Sequence, residues 1–251
     1  SAASDVYKRQ LWISTYYRGI EYLDITSGQF THYNKNTVPG LPCEQTWTVL
    51  DGGDGNLYIG HVGSGFSILS LKDKSVKNFR NEAGNPMSLP GNDVFCIIKD
   101  TNGNIWLGTN KGLALYNAAN ENFITFKKNK NDKYDTLCSR ILSIRQLKDN
   151  KLWIASELNG IAILNLKQSM FLSPEEISLE YIQEGDDSRS LSNASARCIF
   201  QDSFDNIWIG TWGGGINFIS SKSPLFTTLS YSPIPNNENS LNNKVASSLC
   251  M

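Results

Sequence analysis

The sequence predicts an all-β fold, a β-propeller of four-stranded antiparallel blades, and three observations predict it. First, a short apolar strand with a central aromatic recurs, the aromatics falling at Trp12, Tyr58, Trp106, Trp153 and Trp208 with gaps of 46, 48, 47 and 55 residues. A period of about 47 residues is the length of one four-stranded blade. Second, the apolar runs are short and divided by Asp, Asn and Gly turns, with no 3.6-residue spacing to support helical repeats. Third, aromatics make up 11% and charged residues 19% of the 251 residues, the balance expected of many half-buried strands and not of a disordered chain.

The unit can be phased from its aromatic anchor. An apolar first strand ends in Asp, as at Val94 to Asp100 and Ala196 to Asp202. A tight turn follows, in residues 51–56, 100–104 and 202–206, where Asp and Asn side chains can bond the backbone and Gly can take positive φ. The anchor strand is the second. Six or seven residues after each aromatic, a glycine opens a third strand: Gly19, Gly65, Gly112, Gly160 and Gly215. A more polar fourth strand closes the unit at residues 30–33, 76–79, 123–126 and 226–229, alternating as a half-wetted outer edge does. Such units cannot bury both faces alone, so Trp12, Trp106, Trp153 and Trp208 are expected to pack between neighbouring blades.

This phasing gives blades at 11–33 (partial), 43–79, 92–126, 137–182, 194–229 and 244–251 (partial), an incomplete ring of about four full blades plus two partial ones. Residues 1–10 read as a non-native leader, because Asp5 to Gln10 look like a translated sequencing adapter, and they stay outside the fold reasoning. An insertion around Pro174 to Asp187 stretches the fourth blade, its Pro-Glu-Glu start reading as an extended outer loop. Expressed alone, a ring cut at both ends is expected to expose a blade edge and aggregate.

Composition and motifs narrow the function. A formal charge of −1 gives no electrostatic footprint for nucleic acid or an anionic membrane, and no run approaches the roughly 20 apolar residues of a membrane span. Cys43, Cys96, Cys138, Cys198 and Cys250 form no Cys-x-x-Cys pair and read as small buried hydrophobes. His32 and His61 lack ligand spacing, so neither a metal nor a cofactor is expected. Arg18, Arg80, Arg140, Arg145, Arg189 and Arg197 occupy no shared repeat position. The acid pairs Glu175-Glu176 and Asp186-Asp187 read as solvated loop, and Gly213-Gly214-Gly215 joins two strands instead of opening a helix. No catalytic residue is assigned. Binding is better served, because the loops between second and third strands recur on one rim. Tyr17, Arg18, Lys111, Glu157 and Trp212 are the candidate ligand-binding residues there. Trp212 leads, having no place in the strand pattern.

The unit Asn-x-Val…Asp-x-x-Gly-Asn-Ile-Trp-Leu-Gly-Thr…Gly-Leu-x-x-Tyr…Phe-x-x-Phe resembles the two-component regulator propeller repeat. Residues 92–126 carry it most fully, through Asn92, Val94, Asp100, Gly103 to Thr109, Gly112-Leu113, Tyr116-Asn117, Phe123 and Phe126. Connectors Ser88-Leu89, Ser190-Leu191 and Ser240-Leu241 also fit. The second copy departs from the pattern at Tyr58 and His61, and the fourth at Asp149-Asn150-Lys151. The resemblance implies a periplasmic sensor region of a hybrid two-component histidine kinase, with no catalysis in these residues. It further implies an oligosaccharide ligand, further blades and membrane-linked kinase domains as partners, a possible homodimer and no contact with nucleic acid. The rival expectations are a carbohydrate-active propeller enzyme, lyase or hydrolase, and a generic protein-interaction propeller.

Overall fold

The computed structural model describes residues 2–5, 10–126, 134–166, 179–187, 189–229, 231–232, 240–241 and 243–249. They fall in two compact units, Ser1–Thr125 and Phe126–Met251. The first unit holds three antiparallel meanders: β1 (Ala2–Asp5) to β4 (Gln29–Tyr33) through β2 (Gln10–Thr15) and β3 (Gly19–Asp24); β5 (Thr46–Asp51) to β8 (Val76–Phe79) through β6 (Asn56–His61) and β7 (Phe66–Ser70); and β9 (Val94–Lys99) to β12 (Asn122–Thr125) through β10 (Ile105–Thr109) and β11 (Gly112–Asn117). The second unit holds two: β13 (Ile141–Gln146), β14 (Lys151–Ser156), β15 (Ile161–Asn165) and β16 (Leu179–Ile182); then β17 (Ala196–Gln201), β18 (Ile207–Thr211), β19 (Ile216–Ser220) and β20 (Ser223–Leu229). Strand order follows chain order in every sheet, as the phasing requires.

Three details differ from the sequence reading or extend it. The first blade is fuller than its 11–33 boundary, because Ala2–Asp5 pairs with β2 in the register Ala2↔Ile13 to Asp5↔Gln10. Pairing along a strand edge is made by backbone groups, which any extended tract can supply. Within the insertion of the fourth blade, Leu179–Ile182 is the closing strand, registered Ile161↔Ile182 to Leu164↔Leu179. The Pro-Glu-Glu start of that insertion lies outside the described residues. Finally, the last stretch takes the place of a next repeat's start. Gly213 and Gly215 donate to the Lys244 carbonyl, much as Gly19, Gly65 and Gly160 donate to Glu44, Asn92 and Ala194.

Within each unit the sheets stack with their first strands adjacent, β5 beside β9 and β13 beside β17. The cores lie between sheets, and the anchors sit in them. Trp12 packs with Val49 and Leu57, Tyr58 with Val94 and Leu107, and Trp153 with Ile199 and Ile209. Trp106 is buried, and Trp208 packs on Phe218 at 4.5 Å between ring centroids. The glycine opening each third strand is obligatory at Gly65 and Gly160. Both have positive φ (81° and 61°), and a Cβ would lie 2.1 Å from the Phe79 carbonyl oxygen and 2.3 Å from that of Ile182. Gly19, Gly112 and Gly215 also take positive φ.

One carboxylate organises the complete repeat. Asp100 Oδ1 accepts from the Asn102 and Asn104 N–H groups, both at 2.9 Å, while Oδ2 accepts from Asn104 Nδ2 and Trp106 Nε1, both at 2.8 Å. Asp202 repeats this with Phe204, Asn206 and Trp208, its indole bond at 3.0 Å. Burial would raise the Asp202 carboxyl, but the donors from Trp208, Asn206 and Phe204 outweigh it and hold the group below the ordinary carboxylate range. In the second blade Tyr58 donates instead to Asp54 at 3.0 Å, and burial together with that carboxylate pushes the phenol up to about 12. The fourth blade has Leu147 six residues before its anchor. Among the described residues Trp153 Nε1 is accordingly buried with no partner, as is Trp12 Nε1.

The four donors held by Asp100 predict its stability contribution. Asp100→Ala should cost the first unit about 2–4 kcal/mol, since a buried indole N–H and its companions lose a charged acceptor. Asp149→Ala, which removes an acceptor for the Lys151 N–H alone at 3.1 Å, should cost under about 1 kcal/mol. Urea unfolding of the two variants checks the difference.

Candidate functional site

The rim loops leave each second strand by the same backbone device. The residue four places after the anchor donates its N–H to the carbonyl of the residue thirteen places before the anchor: Val62 to Gln45, Asn110 to Asp93, Glu157 to Arg140 and Trp212 to Ser195. A second device sits beside it. The first strands slip register between Thr46 and Thr48, between Ile141 and Ser143, and between Ala196 and Cys198. β9 slips likewise, pairing Val94 with Thr109 and Cys96 with Gly108. Trp47, Phe95, Leu142 and Arg197 are therefore bulge residues. A bulge bends its strand and re-aims the extra side chain.

In the second unit these positions assemble a charged and aromatic cluster. Arg140 Nη1 donates to both carboxylate oxygens of Glu157, at 3.2 and 3.0 Å. Arg197 Nη2 lies 3.6 Å from Glu157 Oε1, an ion contact too long for a hydrogen bond. The Arg197 guanidinium covers the Trp212 ring at 4.2 Å from its centroid, a cation–π stack. Its Nε is buried with no partner among the described residues. Trp212 remains 51% exposed, so half of the indole is available to a ligand.

Two sequence candidates, Glu157 and Trp212, thus come together through Arg197. The other three lie in the first unit. Tyr17, 75% exposed, makes an edge contact with Tyr16 at 4.8 Å, and exposed Arg18 shares that loop. Lys111 is exposed on the β10–β11 loop, its N–H donating to Thr109 Oγ1 at 3.1 Å. Sequence reasoning missed Arg140 and Arg197 because each arginine occurs only once. The available signal was positional, thirteen and eleven residues before an anchor. It also missed Trp47, a half-exposed bulge residue in edge contact with Phe95 at 5.5 Å.

Other chemistry-bearing groups are structural. Asp187 caps a turn, accepting from the Arg189 N–H and the Ser190 hydroxyl, which hold its carboxyl below the usual range. Glu175-Glu176 lie outside the described residues. The described cysteines, Cys43, Cys96, Cys138 and Cys198, are half-buried, not fully buried as expected. Cys138 donates to the Phe126 carbonyl at 3.1 Å, and burial pushes the Cys198 thiol up. Cys43 belongs to a directed relay with His61. Ser67 Oγ donates to Asn78 Oδ1 at 2.6 Å, because Asn78 Nδ2 is committed to the Gly40 carbonyl. Ser67 Oγ then accepts from His61 Nε2 at 2.8 Å, and His61 Nδ1 lies 3.5 Å from Cys43 Sγ, whose thiol donates to the Gln45 carbonyl at 3.5 Å. Among the described residues no group of three His, Cys, Asp or Glu could hold a metal ion, and no helix is long and apolar enough to cross a membrane.

Known proteins agree with the repeat. The model of the two-component regulator propeller family matches residues 88–111 and 190–213. A crystal structure of the extracellular domain of a hybrid two-component system from B. thetaiotaomicron is 58% identical over the whole of this chain, with a TM-score of 0.74. A histidine kinase, P4, from Formosa agariphila is 33% identical over 94 residues, 36% of this chain. The extracellular domain of a one-component system from B. thetaiotaomicron shares the fold at 15% identity and a TM-score of 0.58 over 91% of this chain and 36% of its own. The chain spans 30% of the hybrid-system domain and 7% of the kinase. It carries two-component regulator propeller repeats and is similar to the extracellular sensor portion of such systems.

The His61 relay has an acid signature. Burial pushes His61 down to about 4 from 6.5, so its neutral form stabilises the fold fully above pH 6.5. As pH falls from 6.5 towards about 4 the unfolded chain takes the proton first, and stability drops by about 3 kcal/mol in all. Thr15, Thr109 and Thr211 hold the equivalent place. His61→Thr should therefore flatten the first unit's stability between those pH values, as read from urea midpoints at pH 7, 6 and 5.

Proposed function

We propose that this chain is part of the periplasmic, ligand-sensing propeller of a hybrid two-component signalling protein, that its ligand is an oligosaccharide, and that it senses without catalysing. The observation carrying this reading is the rim cluster of the second unit. A half-exposed indole offers an apolar face of the kind that packs against a sugar ring, and the guanidinium and carboxylate groups beside it offer polar contacts. Each of these groups is held by a repeat-wide backbone bond or a bulge, so little ordering remains to be lost on binding. The likeness to the extracellular domain of a hybrid two-component system supports an extracytoplasmic place.

In the intact protein the ligand's differential affinity for two propeller arrangements would bias membrane-linked kinase domains. Further blades and a homodimer belong to the same reading. The test is a transcriptional reporter driven by the full-length sensor and challenged with pools of oligosaccharides. A responsive pool is expected, and Trp212→Ala should raise its half-maximal concentration by about tenfold, the worth of roughly 1.4 kcal/mol of lost stacking. An unchanged response in the variant removes Trp212 from the site, and silence to every saccharide pool rejects the ligand class.

A further inference from the structure

We propose that the Arg140–Glu157–Arg197–Trp212 cluster takes a carboxylate-bearing sugar, a uronate residue of an acidic oligosaccharide; this rests on the saccharide-sensing reading above. The cluster carries two guanidinium groups against one carboxylate, an excess of one positive charge. Glu157 does not satisfy both arginines equally. Its oxygens are engaged by Arg140 at hydrogen-bond distance, while Arg197 stands back at 3.6 Å. Among the described residues the Arg197 guanidinium donates no hydrogen bond, although its side chain is only 24% exposed and its Nε is wholly withdrawn from water.

A guanidinium in that state lacks what its chemistry demands. Buried donors without acceptors are costly, and the planar fork of arginine matches a carboxylate with two parallel bonds. The contact with Trp212 holds the guanidinium carbon 4.2 Å from the centre of that ring, and the β17 bulge fixes the point from which the side chain leaves. A free carboxylate alone would leave the exposed part of the indole unused. A pyranose bearing the carboxylate on its ring fits both features, its acid group meeting Arg197 and its ring packing on Trp212. The equivalent positions elsewhere lack this combination: Gln45, Trp47 and Val62 in the second blade, and Asp93, Phe95 and Asn110 in the third. Among these repeat positions the combination of two arginines, a glutamate and a tryptophan is made by Arg140 and Glu157 of one blade with Arg197 and Trp212 of the next.

Glu157 gives the test its sign. If the ligand is anionic, Glu157 competes with it, and Glu157→Gln raises the excess charge from one to two. If the ligand is neutral, Glu157 serves as an acceptor for its hydroxyls, and the same variant weakens binding. The experiment is titration calorimetry on the complete extracytoplasmic region of the full-length sensor with trigalacturonate, its fully methyl-esterified form and glutarate. We expect the acidic trimer to bind at least about tenfold more tightly than the ester, as loss of one charge-assisted pair requires. We expect Glu157→Gln to tighten the acidic trimer by about threefold or more and Arg197→Gln to abolish its binding, with added salt weakening the wild type. Failure of the acidic trimer to bind, equal binding of acid and ester, or weakening by Glu157→Gln overturns the proposal. Equal binding of acid and ester leaves the saccharide reading standing, whereas equal binding of trimer and glutarate overturns the sugar component and with it the saccharide reading.

Discussion

The fold depends on how a tight turn and a large buried aromatic are satisfied together. An Asp-to-Asn hairpin leaves backbone N–H groups pointing inward, and an indole placed between sheets brings one more donor that must find an acceptor. Asp100 and Asp202 each answer both needs with a single carboxylate, closing the turn with one oxygen and holding Asn and Trp with the other. Because the acceptor is charged, these bonds are stronger than neutral ones, and the Trp ring is oriented as well as buried. Where the aspartate is missing the aromatic remains and the donor goes unmet, as at Trp153. Packing between sheets is therefore the larger contribution in that blade, and the carboxylate adds to it elsewhere.

The second constraint joins one repeat to the next. The glycine that opens a third strand turns its N–H to the carbonyl at the start of the following repeat and its empty Cβ position to the carbonyl closing its own sheet. A side chain there would collide with that oxygen, so glycine is required by space as well as by φ. This explains why the final residues, 243–249, follow the pattern without forming a strand. Gly213 and Gly215 reach the Lys244 carbonyl as earlier glycines reach theirs.

Most of the fold was legible because these constraints leave residue-type signatures: an Asp, a Gly-Asn turn, an aromatic and a Gly at fixed offsets. What stayed hidden has no such signature. Strand β1 arises by pairing to an open edge, which selects extended backbone and not particular side chains. The closing strand Leu179–Ile182 lies within the insertion that breaks the period. The bulges are the more consequential omission. An extra residue opposite one partner is a matter of register, and Trp47, Phe95, Leu142 and Arg197 share no side-chain type by which a reader could align them. Arg197 was visible as a residue and invisible as a position. Glu157 and Trp212 were found because rim loops are recognisable, but the group linking them was not.

That contrast reflects a division of labour along each strand pair. The carboxylate turn lies at one end of the second strand and the rim loop at the other. β10, for example, has five residues, so its end residues stand about 14 Å apart at roughly 3.4 Å per step. A substitution at the rim therefore does not touch the hydrogen bonds that set the aromatic. The rim backbone, in turn, is fixed by a bond from a main-chain N–H to a main-chain carbonyl, which any residue except proline can supply. Val62, Asn110, Glu157 and Trp212 occupy one backbone geometry with four different side chains. The repeat thus specifies where a side chain projects without specifying what it is, and the fifth blade can place an indole and a guanidinium together at no cost to its own aspartate clamp.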